Sequence, residues 1–367
     1  MNSCTREIGE CEVKLTRRKQ SYRDGYAEGV RFGGCEAILQ RVKQPGTVIR
    51  NMKVLYVPQG FEAIDEGMIA ALQMTVSECI VVGPAHMKEY ATIHRPDLVL
   101  VMNGLHVFPE NHLSQIDEIR SLGIRTAIWF VDDPYFTEDT ADICLHYDLV
   151  FTHEIRAIPF YQNQGAKHVH HVPLGVNTSL FSPRKTSLDY QYDVCFIGNG
   201  FWNRISLFDE LAPFLRNKRV LIAGGQWGRL QRQDLLASFI KPDWIPPVET
   251  VDYYNGAKIV INMHRPHEYG LDNRNTHQIT AGSINPRTYE INACGTLQIT
   301  DIREDLSNYY RPGYDIETYE NGAELQDKIA YYLRNEKERL DVAWRSLYTT
   351  HENHTFQARI QMLLSYV

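Results

Sequence analysis

From Lys53 onward, short unbroken apolar runs alternate with stretches whose apolar residues recur every three to four positions. The runs "KVLYVPQG", "ECIVVGP", "DLVLVMNG", "RTAIWFVDD" and "DLVFTHE" read as buried strands, and stretches such as "ENHLSQIDEIRSLG" read as helices. Continuous apolar runs that close on Gly, Asp or Asn are the pattern of parallel strands covered on both faces. Strand and helix in turn predict a doubly wound α/β domain.

The rhythm breaks at "VPLGVNTSLFSPRKTSLDYQ", where Pro173, Gly175 and Pro183 mark a linker. It then restarts with "YDVCFIGNG", "KRVLIAGG", "AKIVINMHR" and "GTLQITD" as strands. "WNRISLFDELAPFLRN" and "GRLQRQDLLASFI" are the expected intervening helices, and a second α/β domain follows. From Gly322 the chain reads as charged amphipathic helix. The division expected is 1–50, 51–182, 183–345 and 346–367. In the first segment Tyr22, Tyr26 and Phe32 fall at roughly helical spacing, while Gly25, Gly29, Gly33 and Gly34 weaken the helix.

The length of 367 residues suits two cores of this kind. A net charge of −7 argues against a general nucleic-acid binder. No apolar run approaches the ~20 residues that span a bilayer, and "MNSCTREIGECEVKLTRRKQ" lacks the apolar core of a signal peptide. Seven cysteines without C-x-x-C spacing predict reduced thiols and a cytoplasmic location. Cys195 and Cys294 read as small core residues.

Ligands of such sheets sit beyond the carboxyl ends of the strands, so the polar residues that follow strands are the candidates. In "CFIGNGFWNR", Gly198 and Asn199 lie in a tight turn before a helix whose N–H groups suit a phosphate, and Arg204 lies on its first turn. The spacing is not G-x-G-x-x-G, which disfavours a nicotinamide cofactor. Gly224 and Gly225 repeat the turn after the next strand. Pro247 and Val248 belong to a proline-stiffened loop beside Trp244 against which a base can lie. Asn262 and His264 follow "IVIN". In "SINPRTYEINACGTLQITD", Asn285 caps a helix, Arg287 adds a cation, and Glu290 offers two acceptor oxygens to ribose hydroxyls. Ser283 and Thr288 belong to the same loop and turn. Together these residues predict a nucleoside-diphosphate site.

The order "CFIGNGFWNR … INMHR … SINPRTYEINACGTLQITD … YYRPGYDIETYENGAELQDKIAYYL … HTFQARI" resembles the CgeB-type spore-maturation glycosyltransferases and, more distantly, the group 1 glycosyltransferases. The resemblance runs from about Lys53 to the C-terminus and is strongest from Asp193. It implies a GT-B fold: two Rossmann-like domains, an acceptor domain first and a nucleotide-sugar donor domain second, with a last helix returning to the first. It places Glu290 on the donor ribose, Arg287 and the Ser283–Asn285 loop near the diphosphate, and Gly198 with Arg204 facing them. Many group 1 retaining enzymes carry a further glutamate upstream, at the position Gly282 occupies here, so stereochemistry stays open.

On the acceptor side, "IWFVDDPY" supplies Asp132 and Asp133, one of them a candidate general base with His106 as the alternative. His153 and Glu154 follow another strand, and Gly60 permits close approach of an acceptor. His168 to His171 lack zinc spacing and read as surface strand. No D-x-D occurs, so no metal and no cofactor is expected beyond the donor substrate. The function expected is transfer of a sugar from UDP to a glycan, protein or small-molecule hydroxyl, in the mother cell or spore. The alternatives are a non-catalytic nucleotide- or glycan-binding spore or envelope protein of the same fold, and a sugar-nucleotide epimerase.

Overall fold

The computed structural model describes residues 21–23, 25–43, 46, 48–270 and 272–367. The first sheet holds β1 (Arg50–Val57), β2 (Val76–Val81), β3 (Leu98–Met102), β4 (Arg125–Phe130), β5 (Leu149–Thr152) and β6 (Val169–His171). They are all parallel and ordered β2-β1-β3-β4-β5-β6. The second holds β7 (Tyr192–Ile197), β8 (Val220–Ala223), β9 (Ile240–Lys241), β10 (Ala257–Asn262), β11 (Leu297–Asp301) and β12 (Glu317–Tyr319). Its order is β12-β11-β10-β7-β8-β9, again parallel. The strand order reverses between β1 and β3 in the first sheet and between β7 and β10 in the second. Loops leaving a sheet at such a point diverge and open a crevice.

The strongest apolar runs are the central strands. Every residue of β3 is buried, as is every residue of β4 after Arg125. The edges were less legible. β2 is half exposed, β9 is two residues long, and β12 is a three-residue strand in a charged stretch. β6 includes His170 and His171 of the histidines read as strand, while His168 lies just before it. The helix expected over "GRLQRQDLLASFI" breaks into the short pieces Trp227–Arg229, Gln233–Leu236 and Ala237–Phe239.

The stretch read as a linker is not a solvated tether. Val172, Leu174, Val176 and Phe181 join one apolar cluster that runs from Tyr56 and Trp129 of the first sheet to Cys195 of the second and Tyr254 of the helix Pro247–Gly256. The helix Phe356–Leu364 enters the same cluster through Ile360, Leu363 and Leu364. It lies against the helix Glu62–Thr75 so closely that a Cβ on Gly67 would sit 2.4 Å from Phe356 Cδ2. The tail after Gly322 forms helices Gly322–Arg334, Glu336–Asn353 and Phe356–Leu364. Residues 25–39 are helical. Gly34 there presses on Trp344, which explains a glycine inside a helix, while Tyr22 and Tyr26 stay exposed. Cys195 and Cys294 are fully buried, and burial raises both thiol pKa values.

Candidate active site

The loops leaving both sheets face one another across a cavity of about 600 Å³. Gly60 and Phe61 to Ile64 line it from the first sheet, with Val131, Asp132, Tyr135 and His153. Asn199, Phe201, Arg204, Trp244, Pro247, Arg265, Ser283 and the helix that opens with Asn285 line it from the second. A smaller cavity of about 250 Å³ adjoins it. Ile197, Gly198, Gly224, Thr250, Tyr254 and again Trp244, Pro247, Arg287 and Glu290 form its walls.

The helix Pro286–Ala293 carries the central pair. Its start follows from local chemistry: Asn285 Oδ1 accepts Thr288 N–H at 3.0 Å, and Pro286 suits the first helical position. Arg287 and Glu290 are three positions apart and lie on one helix face. Both line both cavities. Neither makes a hydrogen bond or an ion pair among the described residues. Burial pushes the Glu290 carboxyl up to about 7, with the Arg287 charge pulling it back.

Most of the other residues assigned to nucleotide contact also hold the loops together. Asn262 Nδ2 donates to Asn285 Oδ1, Thr288 Oγ1 and Gln298 Oε1, and Asn262 Oδ1 accepts from Asn285 Nδ2. His264 Nδ1 donates to Asp301 at 2.6 Å and Nε2 accepts Asn285 N–H at 3.0 Å, so both ring nitrogens are occupied. Thr288 is fully buried within the cap. Ser283 Oγ accepts from Ile155 N–H. The amides of the Ser283–Asn285 loop, expected near the diphosphate, are internally bonded, Ser283 N–H to Glu154, Ile284 to Asp305 and Asn285 to His264, and Gly282 N–H also donates to Glu154.

The glycine turns are likewise internally bonded. Gly198 N–H donates to Ala223 O and Gly200 N–H to Gly225 O. A Cβ on Gly224 would lie 2.5 Å from Gly198 O, so the second turn is glycine because it stacks on the first. Asn199 Oδ1 accepts Gly225 N–H. Arg204 is 2 % exposed. Its Nε and Nη2 donate to Met263 O and its Nη1 to Asn199 O, so it ties the β7 loop to the β10 loop. A buried guanidinium repelled by Arg287 sits below the usual arginine range, at about 9. Val248 is exposed at the start of helix Pro247–Gly256 and does not line the cavity, whereas Pro247 does. Trp244, 70 % exposed, stands at its mouth.

On the first sheet the two aspartates part ways. Asp132 lines the cavity and accepts from Asn103 Nδ2 at 3.0 Å. Burial raises its pKa, opposed by Arg265, the Asn103 bond and His106. Asp133 turns inward, 2 % exposed, and accepts from Thr152 and Tyr161 hydroxyls at 2.6 Å each. Desolvation lifts it to about 7. It is a core carboxyl, not a candidate base. His106, with φ of 56°, sits edge-on to Phe136 outside the cavity lining. His153 does line the cavity. Its Nε2 donates to Asp133 O at 3.1 Å, which leaves Nδ1 as a buried lone pair without a partner. Burial lowers its pKa to about 3, so it stays neutral. Gly60, with φ of 93°, bends its loop so that its N–H reaches Asp65 at 2.8 Å.

Arg265 is a lining residue missed in the sequence. It stacks over Tyr135, Phe136 and Phe201 at 4.6, 5.2 and 5.0 Å, bridging the two sheets. Its place directly after "INMH" was the available signal.

Residues 204–365 match the glycosyl transferase-like family. The chain is 30% identical over 301 residues to the spore protein CgeB of Bacillus subtilis (strain 168), covering 80% of this chain and 91% of that protein. Among solved structures it is similar to HepE of Anabaena in complex with UDP and glucose, with a TM-score of 0.57 and 12% identity over 86% of this chain and 99% of that one. It is also similar to a glycosyltransferase from Rickettsia africae, with a TM-score of 0.57 and 12% identity over 86% and 98%. The two facing Rossmann-like sheets are the GT-B fold.

Proposed function

The chain belongs to the family of the spore protein CgeB, and on that premise we propose that it transfers a sugar from UDP to a hydroxyl acceptor. The observation that carries the proposal is the Arg287–Glu290 pair, set at the junction of the two cavities without internal hydrogen-bond partners. In this reading Glu290 accepts from the ribose hydroxyls and the base lies against Pro247 and Trp244. UDP is preferred among nucleotides because the similar HepE structure contains it.

Transfer breaks the bond between the sugar's anomeric carbon and the diphosphate, and negative charge grows on the leaving oxygen. Arg287 supplies a fixed cation there without reorganisation. Arg265 adds a second charge from the β10 loop. Asp132 takes the acceptor hydroxyl proton as the new glycosidic bond forms. This scheme gives no role to a metal. The related CgeB is a spore protein, which supports the spore as the place of action.

Calorimetry across nucleoside diphosphates tests the donor assignment. UDP should bind, and Arg287→Ala should weaken it by on the order of 1.5–3 kcal/mol, the range for a hydrogen bond to a charged group. Equal affinity in a folded variant rejects the site. A binding-only descendant is the second reading, favoured by the absence of a side chain at Gly282. It predicts UDP binding without turnover of any UDP-sugar.

A further inference from the structure

We infer that Glu154 is a positioning residue by which the acceptor half of the molecule holds the donor loop in register; the inference rests on the reading of the cleft given above. Glu154 follows β5 in the first sheet and is 1 % exposed. Its Oε1 accepts Gly282 N–H at 3.0 Å and Arg156 N–H at 2.9 Å. Its Oε2 accepts Gly282 and Ser283 N–H, each at 3.0 Å. The same segment donates Ile155 N–H to Ser283 Oγ at 3.0 Å and pairs Arg156 with Glu304 at 2.6 Å. Both carboxylate oxygens are thus filled by backbone donors, and Glu154 does not line the cavity. It acts through the loop, not on a substrate.

Gly282 is part of the joint. A Cβ there would meet Arg156 Cγ and Glu304 Oε2 at 3.2 Å and Glu154 Oε1 at 3.4 Å. The space beside the loop is therefore held by side chains from elsewhere, one of them the carboxylate of the opposite domain. Asp305 and His264 take the next two amides from within the second half. Glu154 is thus the first half's own grip on the loop that opens the Arg287–Glu290 helix. On its other side the joint continues through His153, whose Nε2 holds the Asp133 carbonyl next to Asp132. Asp133, His153 and Glu154 thus link the proposed base to the loop that precedes the Arg287–Glu290 helix.

Full-length Glu154→Ala and Glu154→Gln test this by three readouts: amide exchange at Gly282 and Ser283, UDP affinity, and turnover of a UDP-sugar with water as the default acceptor. In Glu154→Ala the two amides should exchange at least tenfold faster. UDP affinity should stay within threefold, and kcat should fall at least tenfold with KM little changed. Glu154→Gln, which keeps one acceptor oxygen, should recover part of kcat, and it carries the test if the alanine variant does not fold. Unaltered amide exchange, or unaltered kcat in a folded Glu154→Ala, overturns the role. A parent protein that binds no nucleoside diphosphate sinks the proposed function instead, and the exchange readout still judges the joint.

Discussion

Lowering the pH from 8 to 6 should weaken UDP binding through Glu290. Its carboxyl is lifted to about 7 by burial, and in the proposed role the ionised form is the one that accepts from both ribose hydroxyls. In the free protein about 90% is ionised at pH 8 and about 10% at pH 6, so the apparent Kd should rise close to tenfold, ~1.4 kcal/mol. At pH 7 binding should release about half a proton, visible as a buffer-dependent heat. The terminal phosphate of UDP titrates near the same window, with a pKa of about 6. The decisive quantity is therefore the difference between the parent and Glu290→Gln. Calorimetry at pH 6, 7 and 8 should show that variant weaker at pH 8 by on the order of 1.5–3 kcal/mol and lacking the parent's extra slope. Identical slopes, or a parent that binds more tightly at pH 6, would refute the assignment of Glu290 to the ribose.

Asp132→Asn should leave UDP affinity intact and cut transfer by roughly 10²-fold or more at saturating donor; equal rates would move the base elsewhere. Asp133→Asn should retain transfer. The fold favours protonated Asp133, whose pKa is about 7, so the stability it contributes is present at acid pH and lost as pH rises from the usual carboxylate range through 7. Thermal melts should therefore show the asparagine variant gaining on the parent at pH 8 relative to pH 5, and a constant difference would contradict the sign. A chelator should not abolish UDP binding or transfer; loss that manganese restores would require a metal step.

The same split between the two aspartates shows where reading the sequence stopped. Both follow β4, which ends at Phe130, and both carry a carboxylate, so the residues alone gave Asp132 only a slight preference, from the rule that neighbours on an extended chain point oppositely. Which one met the cleft depended on Thr152 and Tyr161, brought to Asp133 from β5 and the following helix. Arg287 and Glu290 were legible because their three-residue spacing and the Asn285 cap are local facts.

Two sheets, their strand-end loops, the helix cap at Asn285 and the family were all determined by the sequence. Unbroken apolar runs and capping patterns act over a few residues, and their physics does not depend on distant partners. The fate of each polar group after a strand was decided by the tertiary structure. A buried donor or acceptor must find a partner, and the partners here come from far along the chain: Asp301 for His264, Gln298 for Asn262, Met263 for Arg204. Folding drew Glu154 and Gly282, 128 residues apart, into one hydrogen-bonded joint. It left Arg287 and Glu290 facing the cavity because nothing within the described fold reached their polar ends.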